Sequence, residues 1–477
     1  MNATVRAAVS RNTVPLIVAT ALFMQSLDAT VLSTALPEIA RDFDANPIHL
    51  KLAVTTYLLA LAIFIPASSW VADRYGAKTV FRWAMAVFAL GSICCALSNG
   101  LMELVAARAL QGMGGAMMVP VGRIVVLRAI PKNELVGALA WLTMPALIGP
   151  VMGPPLGGFL TTYFDWRYIF WINIPIAVLG IWLITRFIPE GEPQEAGAFD
   201  TTGFLLLGPG LAAFLTGATI AGLGLLDPIT NVLVMGIGAL LVTLYVRHAL
   251  RSAAPIIDLR LLSIPTFRAS VTGGLMFRIG IGAFPFLLPL MFQLGFGMTP
   301  FQSGCLTLAS GAGALLMKLL APAILRQFGY RPVLVFNALL ASVFIAMPSL
   351  FSSATPWLVI MGSLLIGGFL RSLQFTSINS IAYADIGPDK LSRAAGFVAV
   401  LQELSGTIGV AVAALGLELL QHWDGRAAID ASHFPPVFAG IALLSALSVL
   451  IFMRLPKDAG REMLTKDLVK TPAEPVV

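Results

Sequence analysis

The stretch "ALIGPVMGPPLGG", Ala146 to Gly158, is crowded with the residues that least favour a helix, yet it lies in an apolar segment long enough to cross a bilayer. Three glycines recur every four residues and therefore share one helix face, where a neighbouring backbone can approach closely: Gly149, Gly153 and Gly157. The prolines between them remove backbone donors and bend a helix. The stretch predicts a bent helix with a flat packing face. A tight helix pair without further function explains any single pair of these glycines, but it does not explain the prolines between them.

The composition of the whole chain indicates that the protein lies in a lipid bilayer and not in water. The chain has 477 residues, of which 58% are hydrophobic and 11% charged, and its mean hydropathy is +0.88. A water-soluble core cannot hide that much apolar surface. We therefore predict an all-α polytopic membrane protein with about fourteen apolar spans of roughly 20 residues each. The predicted spans are 14–36, 50–71, 79–99, 101–127, 134–160, 166–188, 201–222, 228–247, 267–292, 300–325, 331–350, 356–383, 393–420 and 434–454.

The charge pattern argues for a membrane and against nucleic acid as the partner of this chain. The net charge is +6. If both termini lie in the cytoplasm, most lysines and arginines fall on inner loops, as the positive-inside rule requires. The first span continues past Asp28 without a cleavage site of small residues, so it is expected to be retained. The chain is predicted to be a multi-pass protein of the inner membrane.

Cysteine and histidine give no sign of a metal or a cofactor. Cys94 and Cys95 are neighbours and Cys305 is far away, so neither a disulfide framework nor a metal-ligand spacing is visible. The four histidines are scattered near the ends of spans. We expect no bound metal and no cofactor.

Two loops repeat a short pattern. "ADRYGAK" (Ala72–Lys78) and "RQFGYR" (Arg326–Arg331) each contain an aromatic residue, a glycine, one variable residue and a cation. Two related halves that face a midplane site are the sequence mark of a secondary transporter. The predicted organisation is an N-terminal tail (1–13), a six-helix half (14–188), two linking spans (201–247), a second six-helix half (267–454) and a C-terminal tail (455–477).

Five motifs carry a resemblance to a known family over nearly the whole chain. They are "QSLDATVLSTALP" (Gln25–Pro37), "SWVADRYGAK" (Ser69–Lys78), "RALQGMGGA" (Arg108–Ala116), "GPVMGPPLGG" (Gly149–Gly158) and "DWRYIFWINIP" (Asp165–Pro175). With these motifs the chain resembles the major facilitator superfamily and, within it, the fourteen-helix drug:proton antiporters. One departure is Ser69, where the loop motif usually begins with glycine; a small residue still allows close packing.

The resemblance implies a fold and a role for the fifth helix. The fold would be the major facilitator fold, with two six-helix halves and an inserted helix pair. The fifth helix would pack between the halves and favour exchange over uniport, so a side chain at Gly153 or Gly157 is expected to hold the halves apart. The residues of this antiporter motif are Gly149, Pro150, Gly153, Pro154, Gly157 and Gly158.

The loop motif suggests a conformational latch. Asp73 lies where a helix ends, so it can accept hydrogen bonds from the next helix or pair with a nearby arginine. A positively charged turn that only sets topology explains Arg74 and Lys78, but not Asp73 and Gly76. We interpret these four residues as the latch.

Charges inside the bilayer are costly and indicate function by default. Asp28 in the first span and Arg108 in the fourth lie at similar predicted depth and can pair. A carboxylate that loses its partner in a dry cavity favours its protonated form, which is the chemistry of proton coupling. A static buried ion pair is the alternative.

The second half departs from what a pump of cationic drugs requires. Arg278, Lys318 and Arg371 lie within its spans, and Glu403, which can pair with an arginine, is the clear acid at that depth. Lys318 can also snorkel to the inner surface. A neutral or positive cavity is expected, and arginines bind carboxylates in bidentate fashion. Candidate substrate-binding residues are Gln25, Asn173, Arg278, Arg371, Gln374, Asn379 and Glu403, although several are equally explained as helix–helix hydrogen bonds.

The sequence therefore predicts a monomeric, proton-coupled exporter that moves small molecules outward by alternating access and is not an enzyme. Amphipathic drugs are the substrates that the family resemblance implies, and small organic anions such as citrate are the alternative that the buried arginines favour. A membrane sensor or scaffold is disfavoured because no appended soluble domain is visible. An intramembrane enzyme is disfavoured because no ligand cluster or nucleophile motif is visible.

Overall fold

The computed structural model describes residues 13–130, 135–188, 197–221, 223, 225–387, 390–426 and 429–463, with only the backbone for 135–147. The predicted N-terminal tail lies outside the described residues except for Thr13, and so does most of the predicted C-terminal tail. All the regular elements in the described part are helices.

Thirteen helices in the described residues are long and apolar enough to cross a membrane, and the 29-residue helix at the fifth predicted span makes the fourteenth. The fourteen-helix prediction is confirmed. The helices are α1 (Thr13–Asp42), α2 (Pro47–Tyr75), α3 (Ala77–Ala96), α4 (Leu101–Ala129), α5 (Leu135–Tyr163), α6 (Tyr168–Phe187), α7 (Thr201–Ile220), α8 (Pro228–Arg251), α9 (Pro265–Gly295), α10 (Pro300–Phe328), α11 (Tyr330–Leu350), α12 (Trp357–Ile381), α13 (Leu391–Asp424) and α14 (Ala431–Phe452).

The packing of α1–α6 recurs in α9–α14. In the first half α1 packs along α5 and α6, α4 packs on α2 and α3, and α3 packs on α6. The same pairs are found eight helices later: α9 packs along α13 and α14, α12 packs on α10 and α11, and α11 packs on α14. The inserted pair is asymmetric, since α7 packs on both α8 and α2, whereas α8 packs mainly on α7.

The two halves meet along equivalent helices. α5 of the first half packs on α10 of the second, and α13 of the second half packs on α2 of the first. One continuous cluster of buried apolar side chains runs through both halves. Any cavity at the midplane must therefore lie between these two lines of contact.

Two tight turns mark the repeat in the backbone. α2 ends at Gly76 with φ of 85° and α10 ends at Gly329 with φ of 78°. Positive φ is a conformation that glycine adopts without strain, which explains the glycine in both loop patterns. We call this end of the molecule the Tyr75 end, because α2 ends there at Tyr75. The opposite end is the Asp42 end, where α1 ends at Asp42.

The first helix is longer than predicted. The predicted span finishes at residue 36, but α1 continues through Pro37 to Asp42. Apolar length alone defines the part of a helix that lies in hydrocarbon, whereas the helix itself continues into the polar residues beyond it.

Candidate functional site

Both oxygens of the Asp28 carboxylate on α1 have partners on other helices. Its Oδ2 lies 2.6 Å from Nη1 of Arg108 on α4. Its Oδ1 accepts hydrogen bonds from Gln111 Nε2 and from Asn173 Nδ2, both at 2.8 Å. Asp28 thus ties α1 to α4 and α6, and both its oxygens have partners.

Arg108 is held as firmly as the acid it pairs with. Its Nη1 also donates to Gln111 Oε1, and its Nε donates to the carbonyl of Ala53 at 3.3 Å. The guanidinium carbon lies 4.1 Å from the centre of the Tyr57 ring. Side chains of Asp28 and Arg108 are each 1% exposed, so this is a dry, compensated ion pair.

Ser92 of α3 completes this group, which we call the Asp28 cluster: Asp28, Ser92, Arg108, Gln111 and Asn173. The Ser92 hydroxyl accepts from Gln111 Nε2 at 2.8 Å and from Asn173 Nδ2 at 3.3 Å. A proton on Asp28 would remove the negative charge that pairs with Arg108, and on Oδ1 it would also compete with the two donors already there. Protonation and rearrangement of the cluster are therefore linked.

Sequence reasoning found the charged pair of this cluster and missed its neutral members. Gln111 lies three residues after Arg108 and therefore on the same helix face, so the motif "RALQGMGGA" contained a usable signal. For Asn173 the sequence leaves open a substrate contact or a helix–helix hydrogen bond; the structure shows the latter, since Asn173 is fully buried and donates to Asp28. Nothing in the sequence marks Ser92.

The loop motif contributes to an ion pair at the Tyr75 end. Arg128 Nη2 lies 2.6 Å from Asp73 Oδ1, and the two side chains are 27% and 35% exposed. Lys78 Nζ donates to the carbonyl of Thr185 at 3.2 Å, while Arg74 is exposed. The Asp73 pair joins α2 to α4, so it fastens helices of the same half.

The glycine face of α5 lies against α1. A Cβ added to Gly153 would lie 2.8 Å from Cβ of Thr30, and one added to Gly157 would lie 2.6 Å from Oγ1 of Thr34. Gly149 faces the same helix. The expectation that a side chain at Gly153 or Gly157 separates the halves is therefore wrong, because α1 and α5 belong to one half.

The contact of α5 with the second half uses its other side. A Cβ on Gly158 would lie 2.7 Å from the carbonyl carbon of Pro300, and one on Gly304 would lie 2.7 Å from that of Pro154. Further along, a Cβ on Gly311 would lie 3.0 Å from Cα of Val151. Glycines on both α5 and α10 thus allow backbone contact between the halves.

Further contacts join the halves at the Asp42 end. Lys51 Nζ at the start of α2 lies 2.6 Å from Glu418 Oε1 near the end of α13, and Lys51 is almost completely buried. Gln293 Nε2 of α9 donates to the carbonyl of Thr34 at 2.9 Å. The halves are therefore fastened together at this end. The pair of Lys51 and Glu418 cannot be recognised in the sequence, because the two residues are far apart in the chain.

The buried arginines of the second half have few partners. Arg278 Nη2 donates to Asn379 Oδ1 at 2.6 Å, and its Nε and Nη1 have no hydrogen-bond partner in the described structure. Arg371 Nη2 donates to Ser310 Oγ at 2.6 Å, its guanidinium carbon lies 4.0 Å from the centre of the Phe284 ring, and its Nη1 has no partner there either. Neither arginine forms an ion pair with a described acid.

The other predicted substrate contacts are dispersed. Gln374 is fully buried and bonds to Asn337 and to the carbonyl of Leu334, so it joins α12 to α11. Gln25 Oε1 is buried without a partner. The Glu403 carboxyl has no ion-pair or hydrogen-bond partner among the described residues. The expected pairing of Glu403 with an arginine is therefore not present.

A cavity of about 420 Å³ lies between the halves. α1 and α5 line it from the first half through Thr30 and Pro154, and α9, α10 and α12 line it from the second. Arg371 and Lys318 are its charged lining residues. The volume is in the range of small-molecule sites. Arg371 is the only member of the predicted substrate-binding set in this lining.

The described residues contain no group of three or more His, Cys, Asp or Glu side chains that could hold a metal ion. Among the described residues, the buried charges of the Asp28 cluster are paired, whereas Arg278, Arg371 and Glu403 of the second half form no ion pair.

Comparisons with known proteins agree with this architecture. The chain is 36% identical over 453 residues to MdtD of Escherichia coli strain K12, which is named for multidrug resistance, and the match covers 94% of this chain and 95% of MdtD. MdtD of Shigella boydii serotype 18 matches to the same extent.

Solved structures show the same fold at low sequence identity. A D-xylose-proton symporter has a TM-score of 0.67 at 15% identity, with 94% of this chain and 98% of that chain covered. The xylose transporter XylE from E. coli, in a partially occluded inward-open conformation, has a TM-score of 0.63 at 14% identity, with coverages of 93% and 97%.

The family model of the Major Facilitator Superfamily matches residues 18–410 and 270–475. Together with the relatives that match over nearly their whole length, this match shows that the chain is a multi-pass membrane transporter and not an enzyme. The chain belongs to the Major Facilitator Superfamily.

Proposed function

We propose that the chain is a proton-coupled multidrug exporter of the inner membrane that works by alternating access. The observation that carries the proposal is the cavity between two fastened halves: its walls come from both halves, and contacts such as Lys51 with Glu418 join the halves at the Asp42 end. Both termini are proposed to be cytoplasmic, so the Asp42 end faces outward and substrate enters from the opposite side. The relationship to MdtD supports drugs as substrates.

The first helix provides the coupling in this proposal. Thr30 and Ser33 of α1 line the cavity, and Asp28 lies two residues before Thr30 but points into the Asp28 cluster. A proton on Asp28 would neutralise the partner of Arg108 and so let α1 move against α4 and α6, and the cavity wall would move with α1. The proton gradient would be the energy source, with no cofactor, and the working unit would be the monomer.

Replacing the carboxylate tests the coupling. Asp28→Asn keeps the size of the side chain but removes the proton-binding group, so proton-driven export in inside-out vesicles should be abolished in the protein that folds and inserts. Because Arg108 then lacks its anion, export is compared for equal amounts of inserted protein. The readout is proton flux during a screen of candidate drugs. Asp44→Asn is the matched control, because Asp44 is exposed and its φ of 48° suits asparagine. Exchange at the normal rate in the Asp28 variant would remove Asp28 from the mechanism.

Small organic anions such as citrate are the second candidate substrates. The observation that favours them is the lining of the cavity, which contains the cations Arg371 and Lys318 and no acidic residue. A cationic drug would meet like charge there, in surroundings that screen poorly.

A further inference from the structure

We propose that the cavity binds amphipathic organic anions, in which one anionic group is held between Arg371 and Lys318 and an apolar, flat body packs against the rest of the wall. This inference rests on the proposed function, because it names the substrate class of the same cavity. It follows from the charges, the walls and the size of that cavity.

The charges in the lining select an anion. Arg371 is 6% exposed, and its Nη1 has no hydrogen-bond partner among the described residues. Lys318 lines the same cavity and forms no ion pair with a described acid. The part of α5 whose side chains are not described, residues 135–147, contains no Asp or Glu that could neutralise it. A buried guanidinium without an anion is costly, so a carboxylate or similar group gains most here.

The rest of the lining selects an apolar body with few charges. Val151, Ile281, Leu288 and Phe375 line the cavity, and these side chains offer no hydrogen bonds. The lining also contains hydroxyls, and those of Thr30, Ser33, Thr307 and Ser372 already donate to backbone carbonyls. Among small organic anions, this lining favours one with a single charge over citrate. A tricarboxylate would bring more negative charge than the two cations compensate, and its other carboxylates would meet hydroxyls that already donate to backbone carbonyls. A single anionic group on an aromatic or aliphatic body avoids that penalty.

The aromatic side chains favour a flat body. Phe284 already carries the Arg371 guanidinium on its ring. Phe375 is partly exposed and lies on α12 one turn beyond Arg371. An aromatic ring in the ligand can therefore pack on Phe375 while its anionic group lies near Arg371, since aromatic pairs favour offset or edge contacts.

A matched set of ligands tests this assignment. Binding to the purified full-length chain would be measured by equilibrium dialysis with 1-naphthoate, its neutral methyl ester, 1-naphthylmethylammonium and citrate. We expect 1-naphthoate to bind about tenfold more tightly than each of the other three, which corresponds to one charge-assisted contact. Equal binding of the three ring compounds, or tighter binding of the ammonium compound or of citrate, would overturn the assignment.

Variants locate the binding. Arg371→Gln and Lys318→Gln should each weaken 1-naphthoate binding about tenfold and leave binding of the methyl ester unchanged. Lys318 is exposed, so its variant should fold even where Arg371→Gln does not. Arg186→Gln is the control, because Arg186 is an exposed cation at the end of α6, outside the cavity lining. Unchanged 1-naphthoate affinity in Lys318→Gln and in folded Arg371→Gln would overturn the inference.

The two proposals fail in different ways. Proton-driven export of a cation such as ethidium, together with no binding of 1-naphthoate, would overturn the substrate class and leave the exporter intact. Tight binding of 1-naphthoate with no proton flux during its transport would support the substrate class and overturn the coupling.

Discussion

Two charged regions at the middle of the molecule differ in how completely their cations are satisfied. Arg108 in the first half has a carboxylate, an amide oxygen, a backbone carbonyl and an aromatic ring as partners. Arg278 and Arg371 in the second half each have one hydrogen bond to a neutral side chain and a ring nearby. Both regions are buried, so the difference lies in compensation and not in depth.

The difference shows what each region is suited to do. A compensated pair holds helices together, and it changes state only when a proton or a competing group breaks it. A cation that lacks an anion is poorly stabilised by the protein alone, and a ligand can supply what is missing. The first region is therefore suited to coupling and the second to binding, and helix α1 lies between them.

The largest expected effect is a difference in stability between variants of the two regions. Arg108→Gln leaves Asp28 buried without its cation, which should lower the free energy of unfolding by about 3–5 kcal/mol. Arg278→Gln removes one hydrogen bond and an uncompensated charge, so the loss should be about 1 kcal/mol or less. Thermal unfolding of the purified variants in detergent measures both.

The double variant Asp28→Asn with Arg108→Gln serves as the control for this comparison. It removes both charges, so it should recover part of the stability lost in Arg108→Gln alone. If Arg278→Gln destabilises the chain as much as Arg108→Gln does, the difference between the two regions is not one of compensation.

Two adjacent glycines on α5 sharpen the comparison by separating contacts within a half from contacts between halves. Gly157 faces α1 of its own half, whereas Gly158 faces Pro300 of the other. Gly157→Val should therefore lower the free energy of unfolding by about 1–3 kcal/mol, as overpacking does. Gly158→Val can relieve its clash if the halves move apart, so it should reduce export more than stability.

Export rates and melting temperatures of the two variants, measured side by side, check this prediction. Gly236→Val is a control, since a side chain there meets no atom within 4 Å. Equal loss of stability in Gly157→Val and Gly158→Val, with equal loss of export, would mean that α5 has no separate contact for each half.

Much of the fold follows from the sequence, because apolar length and repeated loop patterns fix the number and order of the helices. The direction of side chains around each helix does not follow. α5 and α10 are apolar on several faces, so no polar face indicates which side meets a neighbour. The sequence therefore does not show that Gly157 faces α1 of its own half and not the second half.

The candidate site, like the fold, can be predicted from the sequence only in part. Asp28 and Arg108 are identifiable because charges are rare in a bilayer. The pair of Lys51 with Glu418 depends on how the two halves meet, and neither residue lies in a motif of its own. Arg278 and Arg371 look alike in the sequence, yet only Arg371 lines the cavity. Their difference arises from helix rotation and tilt, which long-range packing determines.

The smallest expected effect concerns the ion pair of the loop motif, which extends the comparison to a partly exposed site. Asp73 and Arg128 are about one third exposed, so water and salt screen their attraction. Asp73→Asn should therefore change the free energy of unfolding by only about 0.2–1 kcal/mol, and by less at high salt. If the pair is a latch between α2 and α4, the export rate should nevertheless fall clearly.

Arg41→Gln is the matched control, because Arg41 forms a 2.6 Å pair with Glu38 within α1 that joins no two helices. Vesicle export assays at two salt concentrations distinguish the cases: a fall in Asp73→Asn alone supports the latch, whereas unchanged export in both variants would reduce the motif to a turn that sets topology.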